Sequence, residues 1–158
     1  MIKVAILTVS DSCSKGQRED VSGQTIRNML SADKFEICGY KVVADEHQSI
    51  SEELVNFADV VSADIVLTTG GTGLGPRDVT PEATASVCQK MVPGLAETMR
   101  SEGLKKSRNA VLSRAVAGIR ENTLIINLPG SPKAVKESLE AVLNVLDHAV
   151  DMMAGLGH

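Results

Sequence analysis

Four short apolar runs constrain this chain more than any other feature. Ile2–Val9, Glu36–Val43, Asp64–Thr69 and Thr123–Leu128 are rich in β-branched residues, and each stops at a polar or glycine-bearing turn. Runs of this length and composition read as strands buried by layers on both sides. The stretches between them carry helical spacing instead. Ile26, Met29 and Leu30 share one face, as do Ile50, Leu54, Phe57, Ala58 and Val61, then Leu95 and Met99. Val135, Leu139, Val142, Leu143, Leu146, Val150 and Met153 give a final helix its buried side. Alternating strands and helices predict an α/β fold: a single-domain, doubly wound, mostly parallel sheet with helices on both faces. Asp20 is placed to cap the first helix, and Ser49 with Glu52 has capping-box spacing. Thr80-Pro81 and Ser131-Pro132 each read as an N-cap followed by proline at the first helical position. Ala110–Ile119 fits either a strand or an irregular crossing segment.

The 158 residues fit one domain, 1–158, with no repeat, linker or low-complexity tract. Aromatics make up only 2% and tryptophan is absent, so aliphatic side chains fill the core and base stacking is excluded as the main binding mode. A net charge of −4 gives no general attraction for nucleic acid or an anionic membrane. No apolar run approaches the ~20 residues of a membrane span. The chain enters a strand directly, with no signal-peptide pattern. Cys13, Cys38 and Cys88 are odd in number and dispersed, as expected of free thiols in a reducing compartment. Together these features predict a cytoplasmic protein. His47, His148 and His158 lack metal-ligand spacing and read as surface residues.

Open parallel sheets bind ligands at the carboxyl ends of their strands. Four turns here fall on that edge: Ser10-Asp11, Asp45-Glu46, Gly70 to Asp78, and Pro129 to Ser131. The loop Gly70-Gly71-Thr72-Gly73-Leu74-Gly75 is the strongest local signal, because glycine lets backbone N–H groups approach phosphates closely. It lacks the Lys-Ser/Thr ending of a P-loop, and its glycines do not follow the dinucleotide fingerprint. Helix starts at Thr80 and Ser131 add anion-favouring N-termini. Asp45 and Asp78 are the candidate catalytic carboxylates. Beside phosphates they make sense chiefly as Mg²⁺ ligands, the other reading being turn or capping residues. Lys105, Lys106, Arg108 and Arg114 form either a solvated basic face or a phosphate-binding patch.

The stretch Thr8 to Ser12 with Glu19-Asp20 and Ser22-Gly23, the block TTGGTGLGPRDVTPEAT from Thr68 to Thr84, Leu112-Ser113-Arg114 with Ala117-Gly118, and Leu124 to Lys133 occur in a fixed order. In that order they resemble the MogA/MoaB-type family, which includes molybdopterin adenylyltransferases and the G domain of gephyrin. The resemblance spans about residues 4 to 150. It implies a trimeric α/β protein of molybdenum cofactor biosynthesis that transfers AMP from Mg·ATP to the terminal phosphate of molybdopterin and releases pyrophosphate. It implies that Asp45 and Asp78 are needed for turnover and that Gly70, Gly71, Thr72 and Gly73 line the nucleotide phosphate site. Ser10, Asp11, Ser113, Pro129, Gly130 and Ser131 would complete the pocket. It implies Mg²⁺ as cofactor, ATP and molybdopterin as ligands, and contact with the metal-insertion protein. One departure is Ala44, where many members place proline before the first acidic residue. The alternative function is a molybdopterin-binding protein of the same fold without adenylyltransferase activity.

Overall fold

The computed structural model describes residues 1–156. Six strands, β1 (Ile2–Val9), β2 (Phe35–Val43), β3 (Ile65–Thr69), β4 (Lys90–Met91), β5 (Ala117–Arg120) and β6 (Thr123–Leu128), form one sheet in the order β2-β1-β3-β6-β5-β4. β1 pairs in parallel with β2 and β3, and β3 in parallel with β6. β5 and β4 close the far edge antiparallel. The helices are α1 (Asp11–Ser14), α2 (Val21–Met29), α3 (His47–Val55), α4 (Thr80–Val87), α5 (Pro93–Leu104), α6 (Pro132–Val142) and α7 (Leu146–Met153).

The central strands send alternate side chains to opposite faces, and two cores result. Val4, Ile6, Ile65, Leu67, Leu124 and Ile126 pack with Ile26 of α2, Met99 of α5, and Val135 and Leu139 of α6. Ala5, Leu7, Val66 and Ile125 pack with Ile50 and Leu54 of α3 and with Ala83 and Val87 of α4. This is the doubly wound arrangement the apolar runs predict.

Several boundaries differ from the sequence reading, each for a local reason. The loop expected over residues 12 to 20 begins with α1, because the Ser10 hydroxyl accepts the Cys13 N–H at 3.2 Å and starts a helical turn. α3 begins at His47, before the Ser49–Glu52 capping box, and Glu46 caps it without a side-chain bond. Its end widens into a π-helical turn at Asn56–Val60. Thr80 is the first residue of α4, and its hydroxyl donates to the Gly70 carbonyl at 2.9 Å. The final helical stretch breaks at a 3₁₀ turn, Leu143–Val145, between α6 and α7. Residues 110 to 119 divide between a 3₁₀ turn (Arg108–Leu112) and β5. Ser131 and Asp20 cap α6 and α2 as expected, accepting from Ala134 N–H at 3.2 Å and Gly23 N–H at 2.9 Å.

Candidate active site at the carboxyl edge of the sheet

The chain winds from β1 outward to β2 and then returns past β1 to β3, so the winding direction reverses between β1 and β3. Ligands of open α/β sheets bind at such a switch point, where diverging loops leave a crevice. A polar cavity of about 330 Å³ lies there, lined by Ser10 after β1, Asp45 after β2, Gly70 and Gly71 after β3, Asp78, and Gly130 and Ser131 after β6. A larger, more apolar cavity of about 500 Å³ lies on the other side of the glycine loop. It is lined by Thr72, Gly73, Ser113 and Pro129 together with Ala96, Met99, Ala110 and Leu112. The predicted site residues therefore divide between two neighbouring cavities, with Gly71-Thr72 and Pro129-Gly130 at the division. Asp11, expected in the pocket, lines neither cavity and is hydrogen-bonded to Asp45 instead.

The glycine loop is held by its neighbours. Gly70 has φ +96°, and a Cβ there would stand 2.2 Å from the Val9 carbonyl oxygen. Gly71 has φ +70°, and a Cβ would meet the Thr80 hydroxyl at 2.2 Å. Conformation and close approach thus both require glycine at these two positions. The Gly70 N–H, expected to face a ligand, instead donates to the Leu128 carbonyl at 3.2 Å. Gly75 N–H donates to Asp78 Oδ2 at 2.8 Å and fixes that carboxylate at the cavity. Among the described residues the N–H groups of Gly71, Thr72 and Gly73 have no acceptor.

Asp45 and Asp11 clasp each other. Asp11 N–H donates to Asp45 Oδ2 at 2.8 Å, and Asp45 N–H donates to Asp11 Oδ1 at 3.0 Å. This reciprocal pair fixes the turn where Ala44 stands in place of proline. Asp45 Oδ1 faces Gly71. Burial pushes the Asp45 carboxyl above its ordinary range, and the charges of Asp11 and Asp78 push the same way against the Asp11 N–H and Arg77. Asp45, half-buried, and Asp78 line the same cavity. Mg²⁺ suits a pair, since it takes one or two carboxylates and completes its shell with water and substrate phosphate. Among the described residues no group of three or more His, Cys, Asp and Glu converges as a preformed metal cluster.

Arg114 departs from a phosphate-binding patch. Its Nε donates to the Gly73 carbonyl and one Nη to the Asp78 carbonyl, both at 2.7 Å, and its remaining donors pair with Glu82. Lys105 pairs with Glu102. His47 and His148 are exposed, as expected, while His158 lies outside the described residues. The three cysteines are free, and Cys13 lines the polar cavity.

Sequence reasoning missed part of the wall. Arg18, Glu19, Asp20 and Ser22 line the polar cavity. The sequence marks Asp20 only as a cap, yet its other oxygen accepts from Thr8 at 2.6 Å and from Tyr40. Ser22 donates to the Gly130 carbonyl at 2.6 Å and ties α2 to the β6 turn. The motif Glu19-Asp20 with Ser22-Gly23 is the signal that could have found them.

Fold and cavities together define the class: an open α/β protein with a polar cleft at the switch point of its sheet. More narrowly, the chain belongs to the probable molybdopterin binding domain family, whose model matches residues 5–148. It is 48% identical over 157 residues to a molybdopterin adenylyltransferase of Helicobacter pylori strain J99, covering 98% of this chain and 89% of that one. It is 38% identical to the molybdopterin adenylyltransferase of Escherichia coli K12, covering 94% and 80%. The crystal structure of the molybdopterin biosynthesis enzyme MoaB from Thermus thermophilus superposes with a TM-score of 0.93 at 52% identity, covering 98% of each chain.

Proposed function

We propose that this chain is a molybdopterin adenylyltransferase of molybdenum cofactor biosynthesis, acting as one unit over residues 1–158. An oxygen of the molybdopterin terminal phosphate attacks the α-phosphorus of ATP. A new P–O–P linkage forms, the bond from the α-phosphorus to the β-bridging oxygen breaks, and pyrophosphate leaves with the bonding electron pair. The observation that carries this reading is the pair of adjoining cavities. The polar one offers carboxylates and hydroxyls to phosphates and their cation, and the apolar one offers a surface to a flat heterocycle.

The attacking monoester is already largely ionised at neutral pH, because its second pKa is about 6. A strong general base is unnecessary, and of the described histidines neither His47 nor His148 lines either cavity. The chain must instead bring two anions together in line. The free N–H groups of Gly71, Thr72 and Gly73 can donate to phosphate oxygens between the cavities, and the Ser10 and Ser131 hydroxyls face the same space. Asp45 and Asp78 would hold the Mg²⁺ that accompanies ATP, and when bound it offsets phosphate charge. The same reading takes the protein to be a cytoplasmic homotrimer that hands its product to a metal-insertion protein.

The test is pyrophosphate release from Mg·ATP with and without molybdopterin, followed by mass detection of the product. Release that depends on molybdopterin and yields an AMP-bearing pterin is the expected result. Tight pterin binding without release would instead make the chain a molybdopterin-binding protein.

A further inference from the structure

Asp45 and Asp78 sit on different loops, and each needs a support of its own to share one cavity. Asp78 is carried by the glycine loop, which is mostly exposed between Leu74 and Arg77. Asp45 is fixed by its reciprocal hydrogen bonds with Asp11. The side chain joining these two supports is Arg77. Its Nε donates to Asp11 Oδ2 at 3.1 Å and its Nη2 to Asp11 Oδ1 at 2.9 Å, a bidentate fork on a single carboxylate. Nη2 also stands 3.9 Å from Glu46, the residue after Asp45. A connected path therefore runs from Asp45 through Asp11 and Arg77 to Asp78, the immediate chain neighbour of Arg77.

We infer that Arg77 is a positioning residue whose fork on Asp11 sets the separation between Asp45 and Asp78. The inference rests on the adenylyltransferase reading for its consequence in turnover. Arg77 does not line the polar cavity, and its fork already engages two donors on protein. A planar fork fixes both distance and direction, which a lysine ammonium does not. In-line transfer between two anions is sensitive to displacements of about 1 Å, enough to cost about a hundredfold.

The experiment compares wild type, Arg77→Gln, Arg77→Lys, Asp11→Asn and the Asp11→Asn/Arg77→Gln double variant in steady-state turnover of molybdopterin and Mg·ATP. Arg77→Gln should lower kcat by about tenfold to a hundredfold. KM for both substrates should stay within about threefold, since the loss falls on the transition state. Arg77→Lys should remain impaired although its charge is kept. The double variant should be no worse than the poorer single variant by more than about threefold, because both changes cut the same strut. Melting temperatures should lie within about 4 °C of wild type, as expected for an exposed ion pair. A raised KM for Mg·ATP with kcat preserved would overturn the inference and make Arg77 a substrate contact. Additive losses in the double variant, or unchanged kinetics, would overturn it as well. If wild type itself shows no turnover, the functional reading fails, and the crystal structure of Arg77→Gln then decides the strut. Displacement of Asp78 relative to Asp45 supports it, and unchanged positions overturn it.

Discussion

At the scale of single residues, the site depends on side chains that hold one another in place. Asp78 is aimed by the Gly75 N–H, so an Asp78→Asn variant keeps the loop's shape and loses the charge. Turnover should fall by on the order of a hundredfold, comparable to losing one transition-state contact, with little change in fold. Steady-state rates with parallel circular dichroism check this, and an unchanged rate would remove Asp78 from the mechanism. Tyr40 offers a second, spectroscopic test. Burial raises its phenol to about 12, and its hydrogen bond to Asp20 adds to the effect. The folded value lies above the unfolded value of about 10, so the stabilisation is complete below pH 10 and is lost as pH rises toward 12. Tyr40 is the only tyrosine in a chain without tryptophan, so its ultraviolet titration reports this one group. The midpoint should lie well above 10, and Asp20→Asn should lower it. A wild-type midpoint near 10 would mean the phenol is not engaged. Asp45, Asp78, Gly70 and Gly71, which line the polar cavity, could be picked out from the sequence because each sits in a turn directly after a strand run, whereas Arg18, Glu19 and Asp20 could not. The role of Arg114 was not legible, because whether an arginine faces ligand or carbonyl depends on which loop folds against it.

At the scale of elements, the four parallel strands were legible, β2 at one edge among them, and the short antiparallel strands at the other edge were not. Ile2–Val9 and Thr123–Leu128 match their predicted bounds because both faces are buried and the apolar run simply ends where burial ends. β4 has two residues and β5 has four, too short for any periodicity to mark. The joint between these edge elements and the glycine loop is Arg114. Its backbone N–H donates to the Thr72 carbonyl at 2.9 Å, while its side chain holds the carbonyls of Gly73 and Asp78. Arg114→Ala should destabilise the protein by about 1–3 kcal/mol, the range for charged hydrogen bonds left unmade. Glu82→Gln removes only the exposed ion pair of the same arginine and should cost less than about 1 kcal/mol. Urea denaturation of the two variants separates these contributions. Equal costs would mean that the carbonyl contacts contribute little.

At the scale of the whole molecule, the cavity draws its walls from loops after β1, β2, β3 and β6, and α2 contributes Val21 and Ser22. A ligand seated there bridges segments distant in sequence, and none of those contacts survives unfolding. The chain carries a net charge of −4, so its overall field does not attract ATP, and on the proposed function affinity comes from the local donors of the glycine loop. Binding to the native state alone stabilises by mass action, about 2.7 kcal/mol at a ligand concentration one hundred times Kd. For a chain of this size each kcal/mol raises the melting temperature by about 2–4 °C, so Mg·ATP at that concentration should raise it by about 5–10 °C. Because the attraction is local rather than a long-range basic field, moderate salt should leave most of the rise in place. Differential scanning fluorimetry in Mg·ATP, at low and at physiological salt, measures both effects. No rise at concentrations that saturate turnover would mean the nucleotide is not held by the folded cavity. A rise abolished by salt would mean that diffuse charge, not the glycine loop, captures it.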